Sequence, residues 1–177
     1  MRRAVRLCLS SVVLALGCAG SPRHTPDPPL RYLCRVELGP LREALRAAGG
    51  DPSQAVRVRS LGALLRLTAG QRYKFVQGTT GELVVAPLPE SHPHNAYVHP
   101  MLSDGAPVWT AGGITVDHAG GRVRGVTLDA RSASYCTATE SLVHAVRALR
   151  GLGLAGEAIV VQGRPLLCVE AGTPAPH

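Results

Sequence analysis

Between Pro107 and Leu128 the chain carries three short β-patterned runs, and the glycines among them leave little choice of fold. Pro107–Thr110, Ile114–His118 and Val123–Leu128 alternate with a period of two, the side-chain period of an extended strand. Ala119-Gly120-Gly121 separates the last two, and its two glycines tolerate the positive φ that a tight hairpin turn requires. A lone two-stranded hairpin is marginal in water, so the rest of the chain must supply further strands beside it and a helix against it.

Those elements are present on both sides. Arg72–Gln77 and Glu82–Ala86 form a second hairpin pattern around Gly78-Thr79-Thr80-Gly81, and Val56–Arg59 and Arg31–Glu37 alternate like short strands. Pro40 suits a first helical turn; Leu41, Ala44, Leu45 and Ala48 follow at helical spacing, and Gly49-Gly50 ends the run. Leu61–Leu67 fits either a buried helical turn or a strand. Thr137-Ala-Thr-Glu140 has the spacing of a capping box, behind which Leu142, Val146 and Leu149 mark an apolar stripe closed by Gly151. Glu157–Val161 and Pro165–Val169 read as a last hairpin around Gln162-Gly163. The expected fold is α+β, a mainly antiparallel sheet built from hairpins with two or three helices. With one Phe, one Trp and four Tyr in the whole chain, its core must be made of Leu, Val and Ala.

The N-terminus reads as an export signal. Arg2, Arg3 and Arg6 precede an apolar run, Leu7–Leu16, that is too short to span a bilayer. Leu14-Ala15-Leu16-Gly17-Cys18 resembles a bacterial lipobox, in which Cys18 would be acylated and become the mature N-terminus, although Ala15 stands where Leu is usual. Residues 1–17 are thus expected to be removed. Residues 18–30, with four prolines, would form an extended tether, residues 31–172 a single domain and residues 173–177 a tail. Acyl chains contribute about 0.8 kcal/mol per buried CH₂, so this anchor would outweigh any charged patch on the domain. The implied location is the cell envelope outside the cytoplasm, or the medium if Cys18 is not lipidated.

Charge is uneven along the chain. From Arg31 to Lys74 nine basic residues face three acidic ones, whereas Phe75 onward holds six against eight. A solvated basic face accounts for the excess, and attraction to anionic headgroups or to an acidic envelope protein partner is the functional alternative. Nucleic acid is excluded as a partner by the export signal and by the lack of stacking aromatics in the basic half.

Three cysteines fall in the domain, Cys34, Cys136 and Cys168, with 101 and 31 residues between them. That spacing is unlike a zinc site, and an oxidising compartment predicts one disulfide among the three, of undetermined pairing. His92, His94 and His99 form the one histidine cluster, a plausible donor set for Zn²⁺ or Cu²⁺ and equally a polar surface loop. A thiolate at Cys136 with His99 as base and Asp117 or Asp129 as orienting carboxylate is a further arrangement, as is Ser132 or Ser134 with His99. No nucleophile-elbow pattern surrounds either serine. Glu82, Asp104, Asp117 and Asp129 fall at hairpin edges and turns without a pairing suited to acid–base work. Trp109 and Tyr135 read as core or sheet-face aromatics, and Gly112-Gly113 as structural glycines rather than a phosphate cradle. Nothing calls for a cofactor or a bound metal.

His99, Gly105, Ala111-Gly112, Gly120-Gly121 and Ser132-Ala133-Ser134-Tyr135 fall at spacings that resemble a module of the plant IQ-motif calmodulin-binding proteins. A similar block occurs in bacterial proteins, some of them toxin-like. The likeness spans about Arg72 to Val161 and implies a compact β-rich module with a site where His99 meets Ser132 and Tyr135. Pro100 and Met101 replace the family's small hydroxyl residues, and Ala133-Ser134 replaces its Gly-His, so only His99 of two histidines is kept. Three functions are expected on these grounds. The first is a membrane-anchored lipoprotein whose domain is a binding module, with any site near His99, Trp109, Ser132 and Tyr135. The second is a toxin-like or enzymatic effector using His99 as general base, and the third a periplasmic metal-binding lipoprotein.

Overall fold

A computed structural model describes Pro29, residues 38–132 and residues 134–163. The expected export signal, Cys18, most of the expected tether, the Arg31–Glu37 run with Cys34, and Pro165–Val169 with Cys168 lie outside the described residues.

Among the described residues one six-stranded sheet carries the fold. Its strands are β1 (Val56–Val58), β2 (Arg72–Gly78), β3 (Leu83–Val85), β4 (Val108–Ala119), β5 (Arg122–Asp129) and β6 (Ile159–Gln162), in the spatial order β1-β3-β2-β4-β5-β6. Every pair is antiparallel except β5–β6. The helices are α1 (Leu38–Ala47), α2 (Leu61–Leu64), α3 (His99–Leu102) and α4 (Val143–Gly151), and α2 and α3 are single turns. The architecture is α+β with a mainly antiparallel sheet.

Alternation along the strands divides the core in two. Tyr73, Phe75, Ile114, Val116, Val126 and Leu128 face one side, where Leu64 of α2 and Ala145 and Leu149 of α4 cover them. Val76, Val84, Val108 and Ala111 face the other, packed with Leu45 of α1, Tyr97, Met101 and Tyr135. The β4–β5 hairpin turns on Gly120 and Gly121, with φ of 58° and 70°.

Three sequence expectations need correction. Pro107–Thr110 and Ile114–His118 are not separate strands, because β4 runs unbroken from Val108 to Ala119 through Gly112-Gly113. Strand β6, the first arm of the expected last hairpin, pairs parallel to β5 because α4 is a crossover that returns the chain in the direction of β5; the second arm, Pro165–Val169, lies outside the described residues. The capping box is not formed: the Thr137 hydroxyl donates to Ala130 O at 2.6 Å, at the end of β5. Ala138 instead precedes a 3₁₀ turn over Thr139–Leu142 that leads into α4. Among the described residues there are four helices rather than two or three, two of them single turns.

Candidate functional site

At Gly112 and Gly113 neighbouring groups leave no room for a side chain. A Cβ on Gly112 would lie 1.9 Å from Asp129 O, and one on Gly113 would lie 2.2 Å from the Arg72 guanidinium. Only glycine leaves room for the neighbouring backbone and for that side chain. In register, Lys74 lies opposite Gly113, and Gly113 opposite Asp129, so one row crosses three strands. Arg72 is two residues before Lys74 and shares its face.

Around this glycine pair the polar groups are matched. Arg72 grips Asp129 with two nitrogens, Nε to Oδ2 at 2.9 Å and Nη2 to Oδ1 at 2.8 Å, and its Nη1 reaches Glu90. Asp129 Oδ1 also accepts from Arg131 N at 3.0 Å and Gly113 N at 3.3 Å. Burial alone would raise the Asp129 carboxyl, but the Arg72 bonds, the two backbone N–H groups and the Arg72 charge outweigh it and hold it below the usual carboxylate range. Lys74 Nζ donates to Tyr97 O, and its ammonium is held below its ordinary range by burial first and by Arg72 second.

His99 opens α3 and is buried between that turn and β4. Its Nε2 lies 3.0 Å from Gly112 O. A carbonyl only accepts, so Nε2 carries the proton and the neutral tautomer is fixed. Burial is the main cause that pushes the imidazole down to about 4; the Gly112 carbonyl and Asp129 oppose it, while Lys74 and Arg72 add to it. A base with so low a pKa takes up a proton poorly near neutrality.

Among the described residues the other expected site residues have different hydrogen-bond partners from His99 or none. Tyr135 is buried in the second core, where its hydroxyl meets Ser103 Oγ at 2.5 Å and donates to Ala106 O at 3.1 Å. Ser132 Oγ is buried with no partner among the described residues. No hydrogen bond among the described residues links His99 with Ser132 or Tyr135. Cys136 is disulfide-bonded. His92 and His94 stand in the loop before α3 with ring centroids 5.5 Å apart, while His99 Nε2 is turned onto Gly112 O. Among the described residues no three His, Cys, Asp or Glu side chains are grouped to hold a metal ion.

Trp109, expected near a site from sequence, belongs to a second polar region whose other residues the sequence did not single out. Trp109, at the bulge where β4 meets the end of β2, stacks on His144 of α4 with centroids 4.8 Å apart and planes 12° from parallel. Its indole N–H donates to Thr79 O at 3.3 Å, which fixes the ring against the β2–β3 turn. Beside the stack a groove of about 320 Å³ is lined by Gln77, Thr79, Thr80, Trp109, His144 and Arg147. Gln77 is 2% exposed, and its Oε1 has no partner among the described residues. A polar residue on the core-facing side of β2, opposite Thr110, was the one signal available from sequence.

No family model, no curated protein and no solved structure matches the chain. No described helix is long and apolar enough to cross a membrane.

Proposed function

We propose that this protein is a lipid-anchored, extracytoplasmic binding module, and that the polar network around His99 is its scaffold rather than a catalytic centre. The observation that carries the proposal is the His99 imidazole, buried, neutral and committed through Nε2 to Gly112 O. A general base needs a pKa near the working pH and reach to a substrate proton, and this imidazole has neither. The bond at Cys136 supports an oxidising compartment, in keeping with the signal and lipobox of the sequence. The resemblance of the central block to the IQ-motif module supports the same reading, because the second histidine of that pattern is replaced here by Ser134.

Protein extracted from membranes tests the proposal by intact mass and by substitution. The expected mass begins at Cys18 and carries a diacylglyceride and a fatty acid. His99→Gln should leave cross-linked envelope complexes in place once the fold is verified by circular dichroism. An unlipidated mass together with loss of a cellular effect in folded His99→Gln would overturn it in favour of a secreted effector.

A further inference from the structure

The groove beside Trp109 differs from the His99 network in what it leaves unmatched. Among the described residues its lining offers one cation, one amide, two threonine hydroxyls and the indole–imidazole stack, and no carboxylate. Arg147 is exposed on α4, one turn beyond His144, and no ion pair among the described residues takes its guanidinium. Gln77 meets the groove from the sheet with a nearly buried amide whose oxygen has no partner among the described residues. A half-turn about the last torsion exchanges the C=O and NH₂ ends of that amide, so it can meet a donor or an acceptor.

These features restrict the ligand. A guanidinium with no described carboxylate beside it selects an anion, and its planar fork matches a carboxylate. The described lining holds no carboxylate to pair with the ammonium of a zwitterionic amino acid. Neutral amide and hydroxyl groups match ligand hydroxyls, and the Trp109 ring offers a flat apolar surface for C–H groups. The volume of about 320 Å³ falls at the small end of ligand pockets. We infer that the groove formed by Gln77, Trp109, His144 and Arg147 binds an acidic sugar, with its carboxylate on Arg147 and its hydroxyls on Gln77 and Thr80. The inference deepens the binding-module reading and rests on it.

Trp109 is the only tryptophan of the chain, so its emission reports this groove alone. Full-length protein titrated with D-glucuronate should show a saturable change in that emission, with a dissociation constant of roughly 1 mM or tighter. D-Glucose, which lacks the carboxylate, should bind at least about tenfold more weakly, as should D-glucuronate to folded Arg147→Gln and Gln77→Leu. A glucuronate trisaccharide that binds more tightly than the monomer would identify a glycan chain as the source, and equal affinity a free sugar acid. No saturable response, equal binding of D-glucose, or unchanged affinity in both variants would overturn the assignment. Such a failure leaves the acylated mass and the His99→Gln complexes unaffected, so it is distinguishable from failure of the binding-module reading.

Discussion

Two polar regions lie on this sheet, and they are built on opposite terms. Around Gly112-Gly113, each charged group that His99 meets has a partner: Arg72 with Asp129 and Glu90, and Lys74 with Tyr97 O. Around Trp109 a nearly buried amide oxygen has none among the described residues, and a guanidinium stands exposed above it. A buried polar group left unmatched costs about 1–3 kcal/mol, whereas a matched network rigidifies the backbone that carries it. The matched region therefore fixes the fold and the unmatched one is free to meet a ligand.

The contrast is sharpest where the network is broken. Asp129→Ala removes the bidentate partner of Arg72 and the acceptor of Arg131 N and Gly113 N, leaving two cations, Arg72 and Lys74, with Glu90 as the remaining carboxylate. Denaturant unfolding should show a loss of about 3–5 kcal/mol, the usual cost of removing one member of a buried pair. Gly112→Ala should lose about 3 kcal/mol, because a Cβ would be driven against the backbone of Asp129 rather than a side chain able to move aside.

His99 adds a pH signature. Its imidazole falls from an ordinary 6.5 to about 4 on folding, so above 6.5 neither state is protonated and stability is unaffected. As pH falls below 6.5 the unfolded chain takes up the proton first, and stability drops until about pH 4, by a total of roughly 3 kcal/mol. In His99→Gln that part of the acid slope should vanish, which unfolding curves measured across this window will show. Asp129, whose carboxyl is depressed, contributes stability that is lost only as pH falls further, through its folded value.

At the groove the expected effect is smallest and can have the opposite sign. Gln77→Leu removes an amide oxygen without a partner among the described residues, so stability should hold or rise by about 1 kcal/mol while glucuronate affinity falls. A loss of several kcal/mol in that variant would place Gln77 with the scaffold instead.

Sequence and structure agree where local rules decide the outcome. The β4–β5 and β2–β3 hairpins were legible because alternation marks each arm and glycines supply the turns. Gly112-Gly113 looks like the same punctuation but lies inside a strand, for a reason set by Asp129 and Arg72, distant in sequence. The parallel pairing of β6 was equally hidden, since periodicity names a strand and not its neighbour. At the sites, His99 and Trp109 stand out as residue types, whereas Arg72, Lys74 and Gln77 read as ordinary strand residues. Strand parity places Arg72 and Lys74 on one face and Gln77 on the other, but only the register with β4 and β5 shows what each meets.

The most direct test of the scaffold claim is the ¹⁵N resonance pair of the His99 imidazole, followed by NMR through a pH titration. The structure predicts a neutral ring protonated at Nε2 from pH 8 down to roughly 5, with a slowly exchanging Nε2–H bonded to Gly112 O. A ring that protonates near 6.5, or carries its proton on Nδ1 at neutral pH, would contradict the account and return His99 to the role of a base.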